Sequence, residues 1–255
     1  MLLKSRRKIV KDMKTIKEYR FKELDSTNEF AKREAEKTSE DILIISEKQT
    51  AGKGRMGRSF HSPEGGIYMS LLLHPKADKN SLRITVMAAV AVARAIETVV
   101  GVKAQIKWVN DIYVDNKKVC GILTEGPYNT EKKAFDYAVL GIGINTVLPI
   151  GGFPGDIKDI AGALFETKDD LKQECLIDLF LENFFEIYDG KSDYMTEYKS
   201  RSIVLGKEIE YIKNGKKIRA EAIDILNSGE LVVRTDCGIQ KLNSGEIKIC
   251  PESLL

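Results

Sequence analysis

A glycine- and arginine-rich segment, Gln49–Arg58 (QTAGKGRMGR), is the feature that most restricts how this chain can fold. Short apolar runs with the composition of buried strands flank it, Ile42–Ser46 before and Ile67–Leu73 after. Glycine permits positive φ and close approach of a ligand to the backbone, and arginine offers planar, bidentate donors to phosphate or carboxylate. We therefore predict a strand–loop–strand unit whose loop binds a polyanion, with a nucleotide as the first candidate.

The glycine spacing, Gly52-x-Gly54-x-x-Gly57, also matches a dinucleotide-binding fingerprint, but its surroundings do not. That fingerprint requires a helix to begin within the glycine run, so that the helix N-terminus meets the pyrophosphate. Here a turn and then a strand follow the loop. A kinase glycine loop shares this setting, yet the chain has no His-Arg-Asp or Asp-Phe-Gly triplet. The loop alone leaves one further alternative, a solvated basic hairpin loop.

Length and composition indicate a globular protein with one large domain and a small one. The chain has 255 residues, of which 43% are hydrophobic and 31% charged, and its net charge of +2 excludes a uniformly basic surface. The N-terminus is the exception, because the seven cations between Lys4 and Lys17 face a single acid, Asp12, and we expect a basic, solvated tail over residues 1–20. No run is long enough to span a membrane, and the four widely spaced cysteines suggest reduced thiols and a cytoplasmic location.

Helix and strand signals alternate through the first two hundred residues. Ser26 and Glu29 form a capping box before a short helix, and longer amphipathic helices are predicted over 81–100 and 171–188. After Leu205, turn signals recur at roughly ten-residue spacing, which is typical of a small all-β barrel. We therefore predict an α+β chain with a domain boundary near Ile203.

Three further segments place charged or amide groups at the ends of predicted strands. They are Lys107–Asp111 (KWVND), Lys117–Leu123 (KKVCGIL) and Gly141–Asn145 (GIGIN). Taken singly, each has a structural explanation: the acid can cap a hairpin, the lysines can protect a sheet edge, and the glycines can allow close strand packing. Their joint occurrence with the glycine loop favours a shared site.

In this order the segments closely resemble the biotin–protein ligases, also called biotin–[acetyl-CoA-carboxylase] ligases. The family pattern is a Ser-Thr-Asn helix start, a Q-x-x-G-[R/K]-G-R-x-G-R loop, K-W-P-N-D, K-x-x-G-I-L and G-x-G-I-N, followed by a small SH3-like domain. The resemblance covers about residues 20–250. Two departures are Val109, where the family usually has proline, and Met56, where a third arginine is common.

The resemblance implies a fold and a domain division. The expected fold is α+β, with a class II synthetase-like catalytic domain built on a mixed sheet with helices, and an SH3-like C-terminal β-barrel. The expected divisions are a basic tail over 1–20, the catalytic domain over 21–203 and the barrel over 204–255. Few residues precede the first predicted strand, so we expect a form without the N-terminal DNA-binding domain that some members carry.

The resemblance also implies an activity. The expected enzyme uses ATP to convert biotin to biotinyl-5′-AMP and then transfers biotin to a lysine of a biotin carboxyl carrier protein or domain. Mg²⁺ should accompany the triphosphate, a homodimer is expected, and neither specific DNA nor a membrane is an expected partner. The alternatives are a lipoate–protein ligase-like acyl-adenylate ligase, a biotin-dependent transcriptional repressor and a non-catalytic biotin-binding module.

Matching the family motifs position by position implies the site residues. Lys118 would lie between the biotin carboxylate and the α-phosphate, Arg55 would order the loop over the adenylate, and Asp111 would orient the metal or a lysine. The implied biotin-binding residues are Ser26, Thr27, Asn28, Gln49, Gly52, Lys53, Lys118 and Gly121, the last leaving room for the biotin tail. The implied adenylate-binding residues are Arg55, Arg58, Phe60, Lys107, Asn110 and Asn145, with Phe60 stacking on the base.

Overall fold

The computed structural model describes residues 2–9, 14–75, 81–131 and 134–253. These residues form an eight-stranded mixed sheet, a five-stranded antiparallel sheet, a two-stranded ribbon and four α-helices. The predicted α+β class is therefore confirmed. Residues 1 and 10–13 of the predicted tail and the last two residues of the chain lie outside the described residues.

The eight-stranded sheet carries the segments singled out in the sequence. Its order is β1-β2-β3-β4-β10-β7-β6-β5, and every neighbouring pair is antiparallel except β2 and β3. Its central strands β3, β4 and β10 are buried at every position, which explains their continuous apolar sequences. The strands are β1 (Leu2–Ile9), β2 (Lys14–Phe21), β3 (Ile42–Ser46), β4 (Ile67–Leu73), β5 (Gln105–Lys107), β6 (Asp111–Val114), β7 (Lys117–Glu125) and β10 (Ala138–Ile144), and the ribbon is β8 (Tyr128–Asn129) with β9 (Ala134–Phe135).

Helices cover both faces of this sheet. On one face α2 (Ser81–Val100) and α3 (Asp170–Tyr188) pack together over most of the hydrophobic core. On the other face α1 (Thr27–Ala35) packs against β3, β4 and β10. The short helix α4 (Met195–Arg201) contacts α2 and β5. Among the residues that the structure describes, no helix has both the length and the apolar composition of a membrane span.

Two short polar sequences set the local structure, one at the start of α1 and one between β6 and β7. The Ser26 hydroxyl caps α1 by accepting a hydrogen bond from the Glu29 backbone N–H at 3.4 Å. The reciprocal half of the capping box does not form, because the Ser26 backbone N–H donates to Asp25 instead, at 2.7 Å. The hairpin between β6 and β7 turns at Asp115 and Asn116, whose φ angles of 49° and 61° are those a two-residue hairpin turn requires.

The N-terminal segment differs from the predicted solvated tail. Strands β1 and β2 pair with each other, and β2 extends the sheet by parallel pairing with β3. Tyr19 is buried, and Arg7 and Arg20 form ion pairs with Glu18 of β2 and Glu174 of α3. The local excess of cations made this segment look solvated in the sequence, because one of the acids that pair with these arginines, Glu174, lies on a helix far along the chain.

The C-terminal sheet is a separate small all-β unit, as the recurring turn signals predict. Two contacts hold it against the first unit. Trp108 Nε1 donates a hydrogen bond of 2.9 Å to the backbone oxygen of Gly229, and the Gly229 residue also lies against Leu82 of α2. The boundary at residues 203–204 stays a prediction. In the order β14-β13-β12-β11-β15, the strands are β14 (Gly238–Leu242), β13 (Leu231–Thr235), β12 (Lys216–Ile225), β11 (Glu208–Lys213) and β15 (Ile247–Ile249).

Candidate active site

The sheet brings the predicted segments together in a row that runs across five strands. Lys107 of β5 pairs with Asp111 of β6, which pairs in turn with Gly121 of β7. Gly121 pairs with Gly143 of β10, and Gly143 pairs with Tyr68 of β4. Directly opposed residues point to the same face of a sheet, so these five residues share one face. The charged groups of Lys107 and Asp111 lie at one end of the row. Gly121 and Gly143 lie in its middle and form a flat surface, the glycine floor.

The ring of Phe60, from the segment after the glycine loop, lies on this glycine floor. A Cβ atom on Gly121 would come within 2.9 Å of the ring, and a Cβ atom on Gly143 would come closer still. The ring also meets Tyr68 edge to face, with centroids 6.4 Å apart. The space beside Gly121, which was predicted to admit the biotin tail, is thus filled by Phe60 in this structure.

The predicted catalytic residues converge at the charged end of the row. Lys118 Nζ lies 2.7 Å from Asp111 Oδ1 in an ion pair. The Arg55 guanidinium donates to Asn110 Oδ1 at 3.1 Å, and Asn110 Nδ2 donates to the backbone oxygen of Ile122 at 2.9 Å. The loop cation is therefore held against β7, the strand that carries Lys118.

Arg55 and Lys107 are half-buried cations that form no ion pair with a described residue. Burial lowers the pKa of both side chains, and the nearby Asp111 carboxylate opposes that shift. Within the described residues, no carboxylate lies at ion-pair distance from either of them, and the acid closest in the row is already paired with Lys118. The site therefore holds an excess of positive charge, which a bound polyanion would neutralise.

A second group of polar side chains lies beneath α1. Gln49 Oε1 accepts hydrogen bonds from the backbone N–H of Thr27 at 2.8 Å and from its hydroxyl at 3.1 Å, while Gln49 Nε2 donates to Ser62 Oγ at 3.0 Å. The Ser70 hydroxyl of β4 lies 2.7 Å from Thr27 Oγ1 and 2.6 Å from Asn28 Oδ1. Three residues predicted to bind biotin thus form one hydrogen-bonded cluster, and all of it except Gln49 is buried.

The other predicted residues lie around these two groups. Lys53 Nζ bonds to Glu29 of α1 at 2.6 Å, so the glycine loop is tied to the capped end of that helix. Gly52 passes so close to Ser62 that a side chain there would collide with it. The Asn145 backbone N–H donates to the Val119 oxygen at 2.8 Å, and its side-chain amide has no hydrogen bond to a described residue.

Arg58 faces the C-terminal sheet rather than the other loop cations. Its guanidinium forms an ion pair with Glu246, with Nη1 and Oε1 3.1 Å apart, and 66% of the Arg58 side chain is exposed. The pair joins the glycine loop to the segment before β15. In this structure the hydrogen bonds of Arg58 therefore serve the contact between the two units.

Several residues that contact the predicted site residues are absent from the prediction, among them Ser70, Glu125 and Glu246. Ser70 interrupts the apolar run IYMSLLL, and a lone hydroxyl in a buried strand was its only signal. Glu125 accepts hydrogen bonds from Asn28 Nδ2 at 2.8 Å and Lys32 Nζ at 3.0 Å, and it ends β7 beyond the matched motif. Glu246 belongs to the second unit, and no local pattern connects it with the loop.

Comparison with known proteins identifies the same two units. The biotin/lipoate A/B protein ligase family model matches residues 20–145, and the biotin protein ligase C-terminal domain model matches residues 204–249. The chain is 35% identical over 221 residues to the bifunctional ligase/repressor BirA of Bacillus spizizenii, a match that covers 82% of this chain and 66% of that protein. The chain thus spans less than the full length of this relative.

Two other proteins match along nearly their whole length. The biotin–[acetyl-CoA-carboxylase] ligase of Paracoccus denitrificans is 27% identical over 235 residues, which is 88% of this chain and 96% of that protein. The structure of the Aquifex aeolicus biotin protein ligase in complex with biotin and ATP superimposes with a TM-score of 0.74 at 30% identity, covering 91% of this chain and 98% of that one.

Proposed function

Because this chain belongs to the biotin protein ligase family, we propose that it activates biotin with ATP and transfers it to a biotin carboxyl carrier protein or domain. In the first step, the biotin carboxylate attacks the α-phosphorus of ATP, which gives biotinyl-5′-AMP and releases pyrophosphate. In the second step, the ε-amine of the acceptor lysine attacks the biotinyl carbonyl carbon and AMP leaves. No covalent intermediate with the enzyme is part of this proposal.

The excess of positive charge at the charged end of the row, around Lys107 and Asp111, is the observation that best supports the proposal. The first step brings two anions together, and a cation between them offsets about 4 kcal/mol per close pair at an effective dielectric constant near 20. We assign that role to Lys118, whose ammonium group pairs with Asp111. Arg55 and Lys107 supply the remaining positive charge toward the phosphates, so catalysis consists of positioning and electrostatic stabilisation.

The cluster beneath α1 favours biotin over lipoate. Gln49 Nε2 has two N–H groups, and Ser62 accepts only one of them. The Thr27 hydroxyl lies beside this amide. Neighbouring donors and acceptors suit the N–H and C=O groups of the ureido ring, whereas the dithiolane ring of lipoate offers neither strong donor nor strong acceptor. A lipoate–protein ligase remains the alternative function.

For the adenylate, the proposal depends on the side chains of Asn145, Phe60 and Asn110. We assign the adenine to the neighbourhood of Asn145, whose side-chain amide has no hydrogen bond to a described residue. Phe60 would stack on the base after leaving the glycine floor, and Asn110 would hold Arg55 in place.

Mg²⁺ enters the proposal together with the triphosphate. Within the described ranges, no group of three or more His, Cys, Asp or Glu side chains is arranged to hold a metal ion. Mg²⁺ usually combines one or two protein carboxylates with substrate phosphates and water, and Asp111 is the carboxylate at this site. When bound, the ion would neutralise charge on the phosphate oxygens.

The proposal includes a cytoplasmic location, where ATP is available, and a homodimer, which sedimentation velocity can test. BirA of Bacillus spizizenii is named as a repressor as well as a ligase. That second activity is not carried over to this chain.

The decisive experiment incubates the protein with ATP, radiolabelled biotin and a biotin carboxyl carrier domain. We expect label on the acceptor lysine only when ATP is present, and none on a carrier whose acceptor lysine is replaced by arginine. Parallel reactions with lipoate and a lipoyl domain test the alternative. Pyrophosphate release with lipoate but not with biotin would reverse the assignment.

The Arg58–Glu246 pair gives a prediction with a small expected effect. Because both side chains are well exposed, the pair should contribute no more than about 1 kcal/mol. Arg58→Ala and Glu246→Ala should therefore each change the KM for ATP by less than about fivefold. If Arg58→Ala alone raised that KM by thirtyfold or more, Arg58 would contact the phosphates, as the family resemblance implies.

A further inference from the structure

A β-bulge in β7 turns Lys118 toward the candidate site. The pairing of β6 with β7 shifts by one residue between Ile112 and Tyr113, so Val119 of β7 is left without an opposed residue in β6. Side chains alternate between the two faces along a regular strand, and the extra residue reverses that alternation. In a regular pairing Lys118 would lie opposite Val114, which is buried in the hydrophobic core. With the bulge it lies opposite Tyr113, on the face that carries the row.

A short segment, the strap (residues 157–162), bonds to the backbone of β7 beside this bulge. The pairing of β10 with β7 ends at Ile144, before it reaches Lys118. In its place, the Lys118 backbone N–H donates to the Ile160 oxygen at 2.8 Å, and the Gly162 backbone N–H donates to the Lys118 oxygen at 2.9 Å. Both backbone polar groups of the lysine are thus bonded to the strap.

The strap is itself anchored. Within it, the Ala161 backbone N–H donates to the Ile157 oxygen at 2.8 Å, which closes a turn. Just beyond it, the Leu164 backbone N–H donates to the Asn145 oxygen at 3.1 Å, and the Asn145 N–H donates to the Val119 oxygen at 2.8 Å. The strap therefore gives the bulge a fixed neighbour at the point where β7 departs from regular pairing.

Gly162 allows the strap to lie this close to β7. A Cβ atom on Gly162 would come within 2.5 Å of the Lys117 Cβ atom. That atom is bonded directly to the backbone of β7, so no side-chain rotation relieves the collision. Carbon atoms pack at about 3.5–4.0 Å, and the strap or β7 would therefore have to move by about 1 Å.

We propose that Gly162 is a positioning residue for Lys118, because it lets the strap hold the lysine backbone with the ammonium group toward the substrate anions. The inference rests on the proposed function and deepens it, since it identifies a second support for the cation. The ion pair with Asp111 holds the end of a flexible side chain, and the strap holds its root. Catalysis by positioning depends on both, because a misplacement of about 1 Å can cost about a hundredfold in rate.

The first test measures single-turnover pyrophosphate release at saturating biotin and ATP in Gly162→Ala. We expect the rate to fall about a hundredfold and the KM for biotin to stay within about threefold, because the cluster beneath α1 is untouched. Lys158→Ala is the matched control. It removes an exposed side chain from the same strap and leaves the backbone hydrogen bonds in place, so it should keep the wild-type rate.

The second test attempts a rescue. Lys117→Gly removes the Cβ atom that an alanine at position 162 would strike. The double variant Gly162→Ala/Lys117→Gly should therefore release pyrophosphate at least about tenfold faster than Gly162→Ala. A glycine in the strand lowers stability, so a variant that merely weakened the fold would not be rescued in this way.

The third test is a double-mutant cycle with Lys118→Ala. If Gly162 acts through the ammonium group of Lys118, there is nothing left to misplace once that group is removed. Gly162→Ala should then slow pyrophosphate release by less than about threefold in the Lys118→Ala background, although it costs about a hundredfold in the wild type.

The outcomes separate the two claims. Wild-type protein that releases no pyrophosphate with biotin would overturn the proposed function itself. An active wild type with an unchanged rate in Gly162→Ala, or an equal loss in both backgrounds, would overturn the role of Gly162 alone. If Gly162→Ala does not fold, Ile160→Gly decides, because it loosens the same backbone without a collision. It should slow release about fivefold in the wild type and leave Lys118→Ala unaffected, and an unchanged wild-type rate would contradict the proposal.

Discussion

Replacing Lys118 with alanine is expected to slow biotin-dependent pyrophosphate release about a thousandfold. This side chain is the cation proposed between the biotin carboxylate and the α-phosphate, and losing about 4 kcal/mol of compensation corresponds to roughly three orders of magnitude in rate. Its removal also leaves Asp111, now 2.7 Å from the Lys118 ammonium, unpaired beside the incoming anions. The measurement is single-turnover pyrophosphate release at saturating biotin and ATP.

Two further variants test this reasoning. The double variant Lys118→Ala/Asp111→Asn should recover about tenfold over Lys118→Ala, because it removes the unpaired negative charge. Lys117→Ala is the matched control, since the neighbouring lysine is exposed and donates to the backbone oxygen of Asp159. It should keep the wild-type rate. Release within fivefold of wild type in Lys118→Ala would move the role to Lys107.

Replacing Arg55 with alanine is expected to speed the loss of biotinyl-5′-AMP from the enzyme by about 10- to 100-fold. A half-buried guanidinium that bonds to a phosphate contributes about 1.5–3 kcal/mol, and this one is already held in place by Asn110. The released anhydride should then label lysines on bystander proteins. Dissociation of preformed, radiolabelled adenylate through a desalting column gives the rate directly.

Met56→Ala is the control for the loop. Met56 follows Arg55 in the same turn, and its side chain is 74% exposed. Its substitution should leave adenylate dissociation and bystander labelling at the wild-type level. Equal dissociation from wild type and Arg55→Ala would mean that the arginine only shapes the loop.

The sequence was most informative where function is encoded in short segments. The strands on each side of the glycine loop, Ile42–Ser46 and Ile67–Leu73, have the predicted bounds. Lys107 and Asp111 were predicted on one segment and Gly121 and Gly143 on two others, and antiparallel pairing places all four in one row. Local patterns succeed here because each segment must carry its own strand signal and its own functional group.

Contacts between distant segments were beyond local patterns. Glu246 and Arg58 are 188 positions apart, and nothing in either neighbourhood indicates that they form a pair. Ser70 was missed for another reason, because a single serine within the apolar run IYMSLLL gives no sign of its hydrogen bonds to Thr27 and Asn28. The swing of Phe60 between the glycine floor and a base would also depend on a substrate that the sequence does not contain.

The parallel pairing of β2 with β3 has a practical consequence for work with shortened chains. The matched family model begins at residue 20, inside β2, so a chain trimmed to that limit would lose both β1 and β2. The edge of β3, with the fully buried sequence ILIIS, would then meet solvent with unpaired backbone groups and no charged side chain. Such an edge recruits other strands, and the trimmed protein should aggregate on expression while the full chain stays dispersed.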